Sequence, residues 1–153
     1  MKHLFFMGIV GFFLIGCESN KGTFLEKVIS KNTQQQTVAK LQKTIQEQGL
    51  VLFETIDHQA NAKAVSMDLK PETVVIFGNP KMGTVLMQCN PSIGLDLPLR
   101  MLVSTNYEGV TTLTYTNPEY WSLKHNIKEK KCLDIIYKAT VALANLAEEA
   151  GKK

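Results

Sequence analysis

Four polar side chains have types and spacings that suit ligand binding or catalysis. His58 follows Asp57, and a histidine beside a carboxylate can serve as a general base, a metal ligand or a proton switch, although an ordinary loop histidine looks the same. Asp96 and Arg100 are four residues apart, so on an extended segment their side chains leave the same face and can meet. Arg100 then offers a planar fork to an anion, or the two form a simple ion pair. Asn79 can direct an amide toward a ligand or only shape a turn.

Several familiar kinds of site have no pattern in this sequence. It contains no Cys-x-x-Cys, no His-x-x-x-His, no Gly-x-Ser-x-Gly elbow, no phosphate-cradling loop and no dinucleotide fingerprint. We therefore predict no metal and no cofactor, and we rank binding above catalysis. With 17 Lys+Arg against 14 Asp+Glu, the chain lacks the basic stripe that nucleic acid requires.

The N-terminal residues resemble a bacterial lipoprotein signal. A basic start is followed by an uncharged apolar run over residues 4–15, and Leu14-Ile15-Gly16-Cys17 resembles a lipobox. We expect residues 1–16 to be removed, Cys17 to be lipidated, and residues 17–22 to form the lipidated cysteine and a polar tether. The alternatives are an ordinary secretory signal or a buried N-terminal helix. The expected location is the cell envelope, facing the periplasm. In enteric-type bacteria an aspartate after the lipidated cysteine is associated with retention at the inner membrane. Because residue 18 is a glutamate, the default expectation is the outer membrane of a Gram-negative cell.

Two further cysteines, Cys89 and Cys132, would lie in an oxidising compartment, where they can form a disulfide. Each falls in a helical pattern among apolar neighbours. This pattern favours separate burial, with a disulfide as the alternative.

The hydrophobic periodicity predicts one α+β domain over residues 23–153. Its helices pack on one face of an antiparallel sheet, and the opposite face is solvated, covered or used for binding. The predicted strands cover residues 23–29, 50–56, 73–77, 97–103 and 110–116. Three helices are predicted. The first has about four turns and follows Thr33, the second is short and covers residues 82–89, and the third is long and covers residues 127–150.

Three segments carry a family resemblance. They are Ile56-Asp57-His58 followed by Ala60 and Ala64, then Phe77-Gly78-Asn79-Pro80, and then Leu95-Asp96-Leu97-Pro98-Leu99-Arg100. Over roughly residues 23–120 the chain resembles the bacterial and archaeal family known as domain of unknown function 302. The resemblance implies a fold similar to the TATA-binding-protein-like class, with the order strand, helix, four strands, helix. It implies no established activity.

These observations lead to three functional hypotheses. We expect a lipid-anchored envelope protein that binds a small ligand, for which an anion would suit Arg100, or a protein partner in a cleft near His58, Asn79, Asp96 and Arg100. The first alternative is an enzyme with His58 as acid/base and Arg100 as anion stabiliser. The second is a structural adaptor that docks on another envelope protein through the open sheet face or the C-terminal helix.

Overall fold

The computed structural model describes residues 24–153, which form a five-stranded sheet with helices on one face. The signal, the lipobox cysteine and the tether lie outside the described residues. The elements in chain order are β1 (Leu25–Ile29), α1 (Gln34–Glu47), β2 (Val51–Asp57), α2 (His58–Ala64), β3 (Glu72–Gly78), α3 (Pro80–Cys89), a 3₁₀ helix (Pro91–Leu95), β4 (Leu99–Thr105), β5 (Thr111–Thr116), α4 (Tyr120–Lys124) and α5 (Lys130–Gly151).

The sheet is antiparallel throughout, with strand order β1-β5-β4-β3-β2. β1 and β2 are therefore its edges, and β2 has an irregular register between Leu52 and Glu54. This architecture confirms the predicted α+β class. The 3₁₀ helix and α4 were not predicted, and the last helix begins at Lys130 rather than near 127 because its N-cap, Glu129, has an extended backbone (φ −68°, ψ 125°).

Local sequence signals set both ends of α1. Thr33 and Gln36 form a capping box, in which each side chain accepts a hydrogen bond from the other residue's backbone N–H. Gly49 follows the last turn with a φ of 68°, a conformation that glycine adopts without a steric penalty.

The main core lies between the sheet and the two long helices. Fully buried side chains alternate along β3 and β4, as expected for strands with one covered face. They meet aliphatic stripes of α1 and α5, and the largest members of this core are Leu41, Ile45, Phe77, Met101, Leu113, Leu143 and Leu146. Burial of each such side chain stabilises the fold by about 1.5–3 kcal/mol.

A second, smaller core joins α3, the 3₁₀ helix, α4 and the start of α5. Its buried members are Leu86, Ile93, Trp121, Ile127, Cys132 and Ile136. Next to it, Cys89 and Cys132 form a disulfide, so the favoured expectation of separate burial was wrong. The pattern of each helix could not reveal that the end of α3 meets the first turn of α5, where the two Cα atoms lie 6.8 Å apart.

The strands and both cores are built from the described residues. Every strand pairs with another described strand, and both cores are built from residues 28–150. The opposite face of the sheet carries half-exposed or exposed side chains, including Arg100, Ser104, Thr112 and Thr114. Within residues 24–153, no helix combines the length and the apolar character needed to cross a bilayer.

Candidate functional site

His58 and Asn79 lie at opposite ends of the sheet. Asp57, just before His58, pairs with Thr73 at the start of β3, whereas Asn79 follows Gly78 at the end of β3. Six residues of strand separate these ends, which corresponds to about 20 Å. The four predicted residues therefore do not surround one small-ligand cleft, and a binding role for each of them stays a prediction.

His58 is the first residue of α2, and Asp57 is the cap of that helix. The Asp57 carboxylate accepts a hydrogen bond from the Ala60 backbone N–H at 2.9 Å. The Asp57 carboxylate therefore stabilises the start of α2. This removes the main geometric reason for treating Asp57 and His58 as a catalytic pair.

Asp96 and Arg100 do not pair with each other. The chain becomes a strand only at Leu99, so Asp96 belongs to the turn after the 3₁₀ helix rather than to the strand that holds Arg100. The Arg100 guanidinium instead donates to the Leu95 carbonyl at 3.2 Å. The segment over residues 96–100 is not extended throughout, because Asp96, the C-cap residue of the 3₁₀ helix, has a helical backbone conformation (φ −101°, ψ −4°).

The partners of Asp96 come from the end of α4. Its carboxylate accepts a hydrogen bond from Lys124 Nζ at 2.9 Å and lies 2.5 Å from His125 Nε2. On the other side of the imidazole, Ser92 Oγ lies 2.7 Å from His125 Nδ1. A Ser92–His125–Asp96 row therefore links the 3₁₀ helix to α4, with the histidine buried and Ser92 exposed.

The electrostatics of this row fix the charge on Asp96. Burial alone would raise the pKa of the Asp96 carboxyl, but its hydrogen bonds to Lys124 and His125, together with their positive charge, outweigh burial and hold the pKa below its usual 3.8. In the neutral tautomer of His125 whose Nε2–H donates to the ionised Asp96, Nδ1 can accept the hydroxyl proton of Ser92. His125 could not be identified as a site residue from the sequence, because it lies 29 residues from Asp96 and carries no local motif.

Asn79 lies at the wall of an apolar cavity of about 570 Å³. Its side chain caps α3 by accepting a hydrogen bond from the Met82 backbone N–H at 3.2 Å. The cavity is lined by residues from the start of β2, α3, the turn before β4, α4 and α5, and its large apolar side chains are Leu50, Phe53, Met82, Leu86, Met87, Leu97, Leu99, Trp121 and Ile135. Cavities of this size and character hold small ligands in other proteins.

The polar groups of this cavity are few. Among the described residues that line it, Lys138 is the one charged residue, and the polar side chains are those of Gln48, Asn79 and Thr84. Trp121 lines the wall with its ring, and its buried Nε1–H has no hydrogen-bond acceptor within residues 24–153.

Comparison with protein families identifies the domain. The family described as "Domain of unknown function DUF302" matches residues 26–149, most of the chain. The chain belongs to the DUF302 family. A crystal structure of an uncharacterized conserved DUF302 protein from Bacillus stearothermophilus has the same fold, with a TM-score of 0.75 at 16% identity over 84% of this chain and 99% of that one.

Curated relatives of this DUF302 chain are named as fluoride-specific ion channels. "Fluoride-specific ion channel FluC 1" of Brucella suis biovar 1 (strain 1330) is 36% identical over 103 residues, which is 67% of this chain and 41% of that protein. "Fluoride-specific ion channel FluC 2" of Brucella melitensis biotype 1 has the same identity over 67% of this chain and 38% of its own length. The chain thus spans about two fifths of these relatives, and the activity in their names is theirs.

Proposed function

We propose that this DUF302 domain binds a small, largely apolar molecule in the cavity between α3, α4 and α5. The observation that carries the proposal is the cavity itself, about 570 Å³ in volume and lined almost entirely by apolar side chains. A ligand that buries apolar surface there gains about 25 cal/mol per Å². Of the four predicted binding residues, only Asn79 lines this site.

A neutral fluorescent dye tests this proposal directly. Trp121 is the only tryptophan of the chain, so energy transfer from it to N-phenyl-1-naphthylamine reports binding at the cavity. We expect saturable transfer that Ala139→Leu, which fills the cavity from α5, weakens at least tenfold. Ala144→Leu is the matched control, since Ala144 is on the same helix but does not line the cavity. Unsaturable transfer, or equal loss in both variants, would contradict the proposal.

We further propose that the domain is held in the cell envelope by lipid on Cys17, facing the periplasm and, in a Gram-negative cell, at the outer membrane. The lipobox-like segment supports this, and so does the Cys89–Cys132 disulfide, because structural disulfides persist in oxidising compartments. Metabolic labelling with radioactive palmitate tests the anchor. Cys17→Ser is expected to abolish labelling and Cys89→Ser to retain it; an unlabelled wild-type chain would refute the anchor.

A second function, ester hydrolysis, is favoured by the Ser92–His125–Asp96 row. In this reaction Ser92 Oγ attacks the ester carbonyl, His125 Nδ1 takes the hydroxyl proton and returns it to the leaving alcohol, and Asp96 stabilises the imidazolium. Water then hydrolyses the acyl-enzyme by the same route. This row replaces His58 and Arg100 as the basis of an enzyme hypothesis.

A fluorophosphonate probe, which reacts with activated serines, tests this second function. We expect covalent labelling that Ser92→Ala abolishes and that Ser122→Ala, on α4, leaves intact. If the wild-type domain is not labelled, the row only ties the 3₁₀ helix to α4 and the enzyme hypothesis fails.

A further inference from the structure

We propose that the ligand of this cavity is an anionic single-chain amphiphile, with a fatty-acid-like carboxylate beside Lys138 and its apolar chain inside. This inference rests on the proposed function, since it names the chemistry of a molecule bound in the same cavity. Three independent features of the described residues support it: the charge at the wall, the nature of the apolar lining, and the position of the cavity relative to the start of the domain.

The charge argument comes from the lysines of α5. Lys130 pairs with Asp134, and Lys131 pairs with Glu129. Lys138 forms no salt bridge with any carboxylate within residues 24–153, and no acidic residue from this range lines the cavity. An exposed, unneutralised ammonium at the rim of an otherwise uncharged cavity complements an anionic head group.

The apolar lining can adapt its shape to a flexible chain. Met82 and Met87 of α3 contribute two unbranched thioether side chains, which adapt their shape to what they contact. Opposite them, Ile135 and Ala139 of α5 contribute aliphatic surface. Transfer of each methylene from water into such a lining is expected to tighten binding about fourfold until the cavity is full.

The cavity also lies at the end of the sheet from which the N-terminal residues depart. Leu25 pairs with Thr116 at the end of β5. This is the same end of the sheet as Gly78, at the end of β3, and Leu99, at the start of β4. Gly78 and Leu99 both line the cavity. The residues between Cys17 and Phe24 extend at most about 25 Å, so the proposed anchor holds the cavity end close to the bilayer, where single-chain amphiphiles concentrate.

The experiment is a fluorescence titration of residues 20–153, produced in the periplasm so that the disulfide forms. The probes are decanoate, dodecanoate and dodecyltrimethylammonium, each below its micellar concentration, and the signal is the emission of Trp121. We expect saturable binding of dodecanoate, about fifteenfold tighter than decanoate because two methylenes are added, and at least tenfold tighter than the cation of equal chain length.

Charge reversal at the rim supplies the decisive variant. Lys138→Glu is expected to invert the preference, so that the ammonium probe binds more tightly than dodecanoate. Lys130→Glu, an exposed position on the same helix outside the cavity, is the matched control and should leave the preference unchanged.

The failure of this inference is distinguishable from the failure of the proposed function. If dodecanoate and the ammonium probe bind equally, and Lys138→Glu changes neither, the anionic ligand is refuted while an apolar ligand site stands. If no probe changes the Trp121 emission saturably and the neutral dye also fails to bind, the cavity is not a ligand site and both proposals fall together.

Discussion

Breaking the Cys89–Cys132 disulfide is expected to destabilise the domain by about 4 kcal/mol. The bridge joins the last residue of α3 to the first turn of α5 and closes a loop with a sequence separation of 43. The constraint on the unfolded chain is worth about 3 kcal/mol for a 15-residue loop and about 4.7 kcal/mol for a 100-residue loop, which places this loop between them. Since typical domain stabilities are about 5–15 kcal/mol, the reduced domain should be marginally stable.

Urea unfolding followed by Trp121 emission measures this difference. The oxidised domain, the same protein treated with a phosphine reductant, and the double variant Cys89→Ala/Cys132→Ala are compared. At a slope of about 2 kcal/mol per molar urea, the midpoint of the reduced protein should fall by about 2 M. Reduction isolates the effect of the bridge, because Cys132 is fully buried and its replacement by alanine also removes core packing.

Two results would refute this reasoning. The first is an intact mass showing that the untreated domain carries both thiol hydrogens, which would mean that no bridge forms. The second is an unchanged urea midpoint after complete reduction, which would mean that the unfolded chain is not restricted by the bridge.

Three other perturbations give predictions of defined sign. Asp96→Asn should cost about 2 kcal/mol at pH 7 by urea unfolding. The pKa of Asp96 is lower in the folded than in the unfolded protein. The stabilisation by the Asp96 carboxylate is therefore complete well above pH 4 and is lost as the pH falls through the folded pKa. An equal cost of Asp96→Asn at pH 7 and at pH 3 would contradict this prediction. Gly49→Ala should destabilise by about 1 kcal/mol in thermal unfolding because of its positive φ, whereas Gly83→Ala, inside α3 with room for a Cβ, should be neutral or stabilising; equal shifts would refute this. Thr33→Ala should cost about 1 kcal/mol through loss of the capping box, and Thr44→Ala on the same helix should cost less; a cap variant with wild-type melting would refute the assignment.

The fold could be predicted from the sequence wherever local signals determine an element. The predicted four-turn helix after Thr33 corresponds to α1, and the predicted strands over 97–103 and 110–116 overlap β4 and β5. The short helix α4 was not predicted, and the start of α5 was placed about three residues too early, because the extended backbone of Glu129 is not a local sequence signal.

The candidate site could not be predicted in the same way, because contacts distant in sequence assemble it. Asp96 contacts His125 rather than Arg100, and Cys89 is bonded to Cys132. Packing of the second core brings these distant segments together. Nothing in the local pattern of α5 distinguishes Lys138 from the other lysines of that helix; it differs by the cavity that the fold places beside it. Asn79 was found because a strand end followed by proline is a local signal.

The two edge strands of the sheet bear on whether neighbouring copies can pair through their backbones. The lipid anchor proposed above would bring copies to a high local concentration in two dimensions, where a free strand edge invites pairing between neighbours. β1 has only five residues and presents Glu26 and Lys27, while β2 is broken by its irregular register at Phe53. Short, charged or irregular edges resist such pairing, so the domain is suited to crowding on a surface without joining its neighbours into a continuous sheet.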